Sequence, residues 1–213
     1  QGYTCTCEYW RHSDDCKAKR PDLYLLADQH CDQPGKHPRG VKSWAAESTT
    51  DPATIRDWWA KHTTANIGID CGKAGLLVLD ADAYKEGYSG ADLLTQEDRE
   101  TVTSLTGGGG EHLIYQMPQG NTYGNATGHL PDGIDIRGQG GYIVAPPSLH
   151  ASGRRYQFED GYSPVQIAFK PVPQALQDVL DEAQRATMIS TGIFPAAKLM
   201  LGSSGVLSGV AKL

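Results

Sequence analysis

The sequence predicts an α+β fold with a small metal-stapled lobe at its start, on three observations. Short apolar runs bounded by Gly, Pro and Asp punctuate the middle of the chain and read as strands. A capped amphipathic segment precedes them and a second amphipathic segment follows them, both with helical spacing. Cys5, Cys7, Cys16 and Cys31 crowd the start of the chain, whereas Cys71 stands apart.

A chain of 213 residues suffices for one large domain, or one domain with an appendage, and can bury a proper core. With 39% hydrophobic and 21% charged residues it has the composition of an ordinary soluble protein. No apolar stretch reaches the roughly 18 residues of a membrane span, and no signal peptide opens the sequence. Gln1 stands where Met would, which points to trimming or processing. The net charge of −6 excludes a general polyanion binder. Nucleic-acid contact must therefore come from local basic patches, with Lys36, Arg39 and Lys42, and the pair Arg154-Arg155, as the candidates.

Residues 1–43 show no sustained periodicity and are rich in Cys, His, Asp, Lys and Pro. Cys5, Cys7, Cys16, Cys31 and His37 offer enough soft ligands for a tetrahedral zinc, four of these five being needed, with His12 and His30 as further options. Clustered thiols without a secretory signal suit a metal better than a disulfide framework. Asp51 then caps a helix over 53–62, with Pro52 at its first position and Ile55, Trp58 and Trp59 on its apolar face.

Residues 66–70 read as a short strand and Gly72-Lys73 as a turn, ahead of the strand Leu76-Leu77-Val78-Leu79-Asp80. Residues 89–100 read mostly as a helix. Residues 101–105 lead into Thr106-Gly107-Gly108-Gly109-Gly110, and 112–117 form another strand. After a turn-rich stretch, 134–137 and 142–145 make two strands separated by Gly138-Gln139-Gly140-Gly141, and 156–158 offer one more. Beyond Pro173 an amphipathic helix covers 174–186 and 196–201 begins another. The chain thus divides into a lobe (1–43), a core (44–172) and a C-terminal helical segment (173–213).

The chemistry concentrates on acidic residues. Asp80 and Asp82 end an apolar strand at positions i and i+2, so both carboxylates project from one face. Two such carboxylates repel unless a cation sits between them, which points to a divalent metal of the kind used in phosphoryl chemistry. The plainer alternative is a strand that ends in a solvated acidic turn. Asp135, between Ile134 and Ile136, needs a partner or a metal in so apolar a setting. Arg137 shares its strand face and suits either a triphosphate or a salt bridge to Asp135. The glycine run frees the backbone for close approach, but without the Lys-Ser/Thr of a P-loop. His112, just beyond it, suits donation to a phosphate oxygen.

Taken in order, Pro34-Gly35-Lys36-His37-Pro38, Asp51-Pro52, Ile55-Arg56-Asp57-Trp58-Trp59, Asn66-Ile67-Gly68-Ile69 and Leu79-Asp80-Ala81-Asp82 form a series. It continues through Gly109-Gly110-Glu111-His112, Gly133-Ile134-Asp135-Ile136-Arg137-Gly138 and Gly141-Tyr142-Ile143-Val144-Ala145-Pro146-Pro147-Ser148. The series resembles the bifunctional primase-polymerase (prim-pol) domain of phage and plasmid replicases, in the archaeo-eukaryotic primase superfamily. The likeness runs from about Pro34 to Phe158.

That resemblance implies an α+β primase-polymerase core whose catalytic sheet is RRM-like and flanked by helices. It implies polymerisation of NTPs or dNTPs on a single-stranded DNA template, by primer synthesis and primer extension. Asp80, Asp82 and Asp135 fall on the family's metal-binding acids, which hold two Mg²⁺ or Mn²⁺ ions. His112 falls on its histidine motif, and Arg137 and Lys36 are the candidates for the triphosphate. The zinc would be structural. A helicase region often follows such domains, and a phage or plasmid origin places the protein in the host cytoplasm, away from membranes. A metal-dependent nuclease or phosphohydrolase, and a zinc-stapled nucleic-acid-binding module with inert carboxylates, are the rival readings.

Overall fold

The computed structural model describes Lys36, Pro38 and residues 43–90, 92–125 and 130–191. The zinc candidates Cys5, Cys7, Cys16, Cys31 and His37, with His12 and His30, lie outside the described residues, as does the helix expected over 196–201.

Helix formation begins where the sequence places its caps. A short turn of helix, α1 (Trp44–Glu47), precedes α2 (Pro52–Lys61). The Asp51 carboxylate accepts from the Thr54 backbone N–H at 2.8 Å, satisfying a donor the helix leaves open, and Pro52 needs no such partner. The strands follow: β1 (Ile67–Asp70), β2 (Leu76–Ala81), β3 (Val102–Leu105), β4 (Glu111–Gln116), β5 (Ile134–Arg137), β6 (Tyr142–Ala145) and β7 (Gln157–Phe158). A long helix, α3 (Gln174–Thr191), ends the described chain and runs beyond the span expected for it. It meets no glycine or proline before Gly192.

Five strands make one antiparallel sheet in the order β5-β2-β4-β3-β7, and β1 and β6 form a separate antiparallel ribbon. Each connection among β2, β3, β4 and β5 that is longer than a hairpin skips one neighbour: β2 to β3 passes β4, and β4 to β5 passes β2.

Residues 89–100 do not form the expected helix; they run as turns and bends. Local polar side chains divert the backbone. The Thr95 N–H and hydroxyl both donate to the Asp98 carboxylate, and the Asp98 N–H donates back to the Thr95 hydroxyl. Such reciprocal bonds compete with the helical ladder. The segment is also held from outside, by Ser89 paired with Asp132 and by the Tyr115 hydroxyl donating to the Asp98 carbonyl. Gly90 lies so close to Ile134 that a Cβ there would come within 2.5 Å of its side chain.

Alternation along the strands gives the five-stranded sheet two different faces. On one, Leu77, Leu79, Leu113, Tyr115 and Ile136 pack against Leu176 and Leu180 of α3. On the other, Val78, Val102 and Ile114 form an apolar row that packs with Cys71 and with Ile69 and Ile143 of the ribbon. Burial pushes the Cys71 thiol up to about 12, so it packs as a small apolar group.

The α3 contact anchors the fold. Leu176→Ala is expected to cost about 2–5 kcal/mol of unfolding free energy in urea titrations, because Leu176 is fully buried. Val165→Ala, at a position 92% exposed, is expected to stay within about 0.5 kcal/mol of the parent protein.

Candidate active site

The sheet face that carries the apolar row changes character one step along the strands. Asp80 of β2 lies directly opposite Asp135 of β5 on one side and His112 of β4 on the other, and His112 lies opposite Ser104 of β3. Directly opposed residues share a face, so Asp135, Asp80, His112 and Ser104 form one polar row beside the apolar row of Val78, Ile114 and Val102. Asp82 follows two residues after Asp80. Arg137 stands opposite Val78 and next to Asp135 along β5.

The row is partly shielded and strongly charged. Arg137 donates from Nη2 to Asp135 Oδ2 at 3.1 Å and lies 4.0 Å from Asp80 Oδ2. Lys85, three residues beyond Asp82, forms an ion pair with it. Asp135 thus has a partner in Arg137, and it shares a face with Asp80. Burial, reinforced by Asp82, pushes the Asp80 carboxyl up to about 6, against the pull of Arg137. Burial, with Lys36 and Arg137 nearby, holds the His112 imidazole down at about 4. His112 is therefore neutral at pH 7, with its Nε2 3.5 Å from Asp80 Oδ1. Lys36 is held near the site by its own carbonyl, which accepts from the Tyr142 hydroxyl at 2.7 Å.

The donor set is hard carboxylate oxygen, the chemistry that Mg²⁺ and Mn²⁺ select. Among the described residues, no three His, Cys, Asp or Glu side chains stand in ready ligand geometry. Asp82 is turned to Lys85 and Asp135 to Arg137, as carboxylates pair with the nearest cations. The residues fit divalent cations by chemistry, and Asp80 and Asp135 by shared face, with the protein's own cations in competition.

The glycine run forms the hairpin between β3 and β4. Thr106 N–H donates to the Gly110 carbonyl, and the Gly109 N–H to the Thr106 carbonyl, with Gly109 at φ +108°. The close approach expected of these glycines is partly to the protein itself. A Cβ on Gly110 would lie 2.6 Å from both the Ala81 carbonyl and Asp82 Oδ1, and one on Gly107 would overlap His150. The turn is clamped by Ser152 and Arg154, which both donate to the Gly107 carbonyl.

Three residues that carry no sequence motif join the site. Lys85 neutralises Asp82. Tyr156 is buried between two imidazoles, its ring centroid 6.2 Å from His112 and 5.9 Å from His150. Its hydroxyl is pushed up to about 12 by burial and by Asp80 and Asp82. Ser104 is the third. A lysine near an acidic pair is too common to single out, and the other two depend on strand register.

These shifts have opposite consequences for stability. The folded Asp80 carboxyl binds its proton more tightly than the unfolded one, so its contribution falls as pH rises from about 4 to about 6. His112 binds its proton less tightly when folded, so its contribution rises over about 4 to 6.5. Asp80→Asn removes the first effect alone. In metal-free buffer the variant is expected to match the parent near pH 4 and to exceed it above pH 6, by on the order of 3 kcal/mol. Thermal melts across that range check it.

No helix among the described residues is long and apolar enough to cross a membrane. No curated protein matches the chain. A family model described as "Bifunctional DNA primase/polymerase, N-terminal" matches residues 23–175, a span that holds the whole polar row, Asp82, Arg137 and Lys36. The chain belongs to the bifunctional DNA primase/polymerase (prim-pol) family.

Proposed function

We propose that this domain performs template-directed nucleotidyl transfer, synthesising primers and extending DNA as the primase-polymerase part of a phage or plasmid replicase. The observation that carries the reading is the polar row itself: Asp135, Asp80 and His112 side by side across three strands, with Asp82 at the strand end. Membership of the family implies DNA and nucleotide substrates. The strand order β5-β2-β4-β3, with its two skipped neighbours, supports an RRM-like catalytic sheet.

Asp80, Asp82 and Asp135 would hold two Mg²⁺ or Mn²⁺ ions, which when bound supply an acidified 3′-hydroxyl and charge stabilisation for the departing pyrophosphate. The chain's own residues do the rest. Arg137, now paired with Asp135, is the guanidinium that would pair with a triphosphate, and Lys36 adds a second positive charge nearby. His112, neutral, gives a phosphate oxygen a hydrogen bond without adding to the charge. The half-buried setting of Asp80 strengthens each of these interactions relative to bulk water. Template binding is expected to weaken as salt rises, because phosphate contacts release counterions.

The N-terminal lobe completes the proposal. Four of Cys5, Cys7, Cys16, Cys31 and His37 would bind one structural Zn²⁺, and a helicase region would follow the C-terminal helices in the full replicase. Metal analysis of the purified protein is expected to find one zinc per chain. Finding none removes the staple and leaves the catalytic reading in place.

The test is a gel assay on unprimed single-stranded DNA with labelled ATP, dNTPs and Mn²⁺. The parent protein is expected to make products and to lengthen an annealed primer. Asp80→Ala, Asp82→Ala and Asp135→Ala are each expected to abolish synthesis without unfolding the protein. Near-parental extension by Asp82→Ala contradicts the assignment, and shortening of labelled DNA without any extension points to a nuclease.

A further inference from the structure

The polar row contains one member for which nucleotidyl transfer has so far found no use. Ser104 is fully buried, and His112, directly opposite it, is 6% exposed. Ser104 Oγ and His112 Nδ1 are the two buried side-chain polar atoms without a hydrogen-bond partner among the described residues. Two directly opposed residues on adjacent strands have Cβ atoms only about 4.5–5.5 Å apart, so Ser104 flanks His112 on one side as Asp80 does on the other, with Oγ and Nδ1 not in hydrogen-bond geometry in this structure.

The surroundings leave each atom little alternative. The other hydroxyls of this strand region are committed: Thr101 donates to the Ile114 carbonyl, Thr103 to the Thr101 carbonyl, and Thr106 Oγ1 accepts from the Gly110 N–H. Across β7 the partner of Ser104 is Phe158, which offers nothing polar, and two residues back along the same face stands Val102. On the imidazole, Nε2 already faces the Asp80 carboxylate. A neutral imidazole has one donor and one acceptor nitrogen, and a proton on Nε2 leaves Nδ1 as an acceptor in need of a donor. A serine hydroxyl rotates freely to become that donor.

We propose that Ser104 is a positioning residue for His112: a small side-chain adjustment brings its hydroxyl to donate to Nδ1, which fixes the imidazole with its proton on Nε2. That proton then points along the row toward Asp80 and the place where substrate phosphate would lie. The effect on nucleotide binding rests on the nucleotidyl-transfer reading above, whereas the hydrogen bond itself does not.

Nitrogen-15 NMR of the full chain with labelled histidine tests it, the His112 signals being assigned from their disappearance in His112→Gln. In the parent protein at pH 7, His112 is expected to show one protonated and one unprotonated nitrogen, the pattern of a single Nε2–H tautomer. Ser104→Ala, which deletes one oxygen atom, is expected to move both shifts toward the average of two tautomers, and Ser104→Thr, which keeps a hydroxyl, to restore the parental pattern. Nucleotide KM is expected to rise about three- to tenfold in Ser104→Ala, the worth of one hydrogen bond, with a smaller change in kcat. His112 nitrogen shifts in Ser104→Ala identical to those of the parent protein overturn the proposal. Because those shifts are read without turnover, a protein that makes no primers would refute the functional reading and still decide this one.

Discussion

Negative charge gathered on one half of one sheet face is the constraint around which the rest of this molecule is arranged. Asp80 and Asp135 are directly opposed, Asp82 follows just past the end of β2, and like carboxylates at such range repel. The fold tolerates them through nearby cations, Arg137 at Asp135 and Lys85 at Asp82, and through an uncharged imidazole beside Asp80. The Asp80 carboxyl is raised, chiefly by burial and then by Asp82, against the pull of Arg137. Perturbed carboxylates held by a stable scaffold are the setting in which the proposed cation site would work.

The scaffold achieves this by dividing labour between faces. One face of the five-stranded sheet carries the main apolar core and is closed by α3, whose Leu176 and Leu180 belong to the same core as Leu77, Leu79 and Tyr115. The other is apolar for a single row, where Cys71 and the β1–β6 ribbon pack, and polar in the next. That ribbon also ties the edges of the site together. Lys73 donates to the carbonyls of Ala46 and Ser48, Asn66 and Leu149 exchange hydrogen bonds, and the Tyr142 hydroxyl fixes the Lys36 backbone. The glycine hairpin closes against Asp82 on one side and His150 on the other.

Much of this was legible in the residues. The Asp51-Pro52 cap gave α2, and the apolar runs gave β2, β4, β5 and β6. What could not be read was which strands lie side by side, because register across skipped neighbours depends on tertiary packing. The opposition of Asp80 to both Asp135 and His112, and the entry of Ser104 and Tyr156 into the site, therefore emerge only in three dimensions. The expectation of a helix over 89–100 failed for a local reason, since Thr95 and Asp98 bind each other's backbone in place of the helical ladder. Of the close approaches the glycine run permits, those at Gly107 and Gly110 are to His150 and to the end of β2, which no residue pattern announces.

The claim beneath the whole account is that divalent cations displace Arg137 and Lys85 from these carboxylates. Anomalous diffraction from crystals grown with Mn²⁺ and a nucleotide triphosphate measures it directly. The account predicts manganese at about 2.0–2.2 Å from oxygens of Asp80 and of Asp82 or Asp135, with Arg137 swung from Asp135 toward the triphosphate. Bound nucleotide with manganese elsewhere, and Arg137 still paired with Asp135, would contradict it.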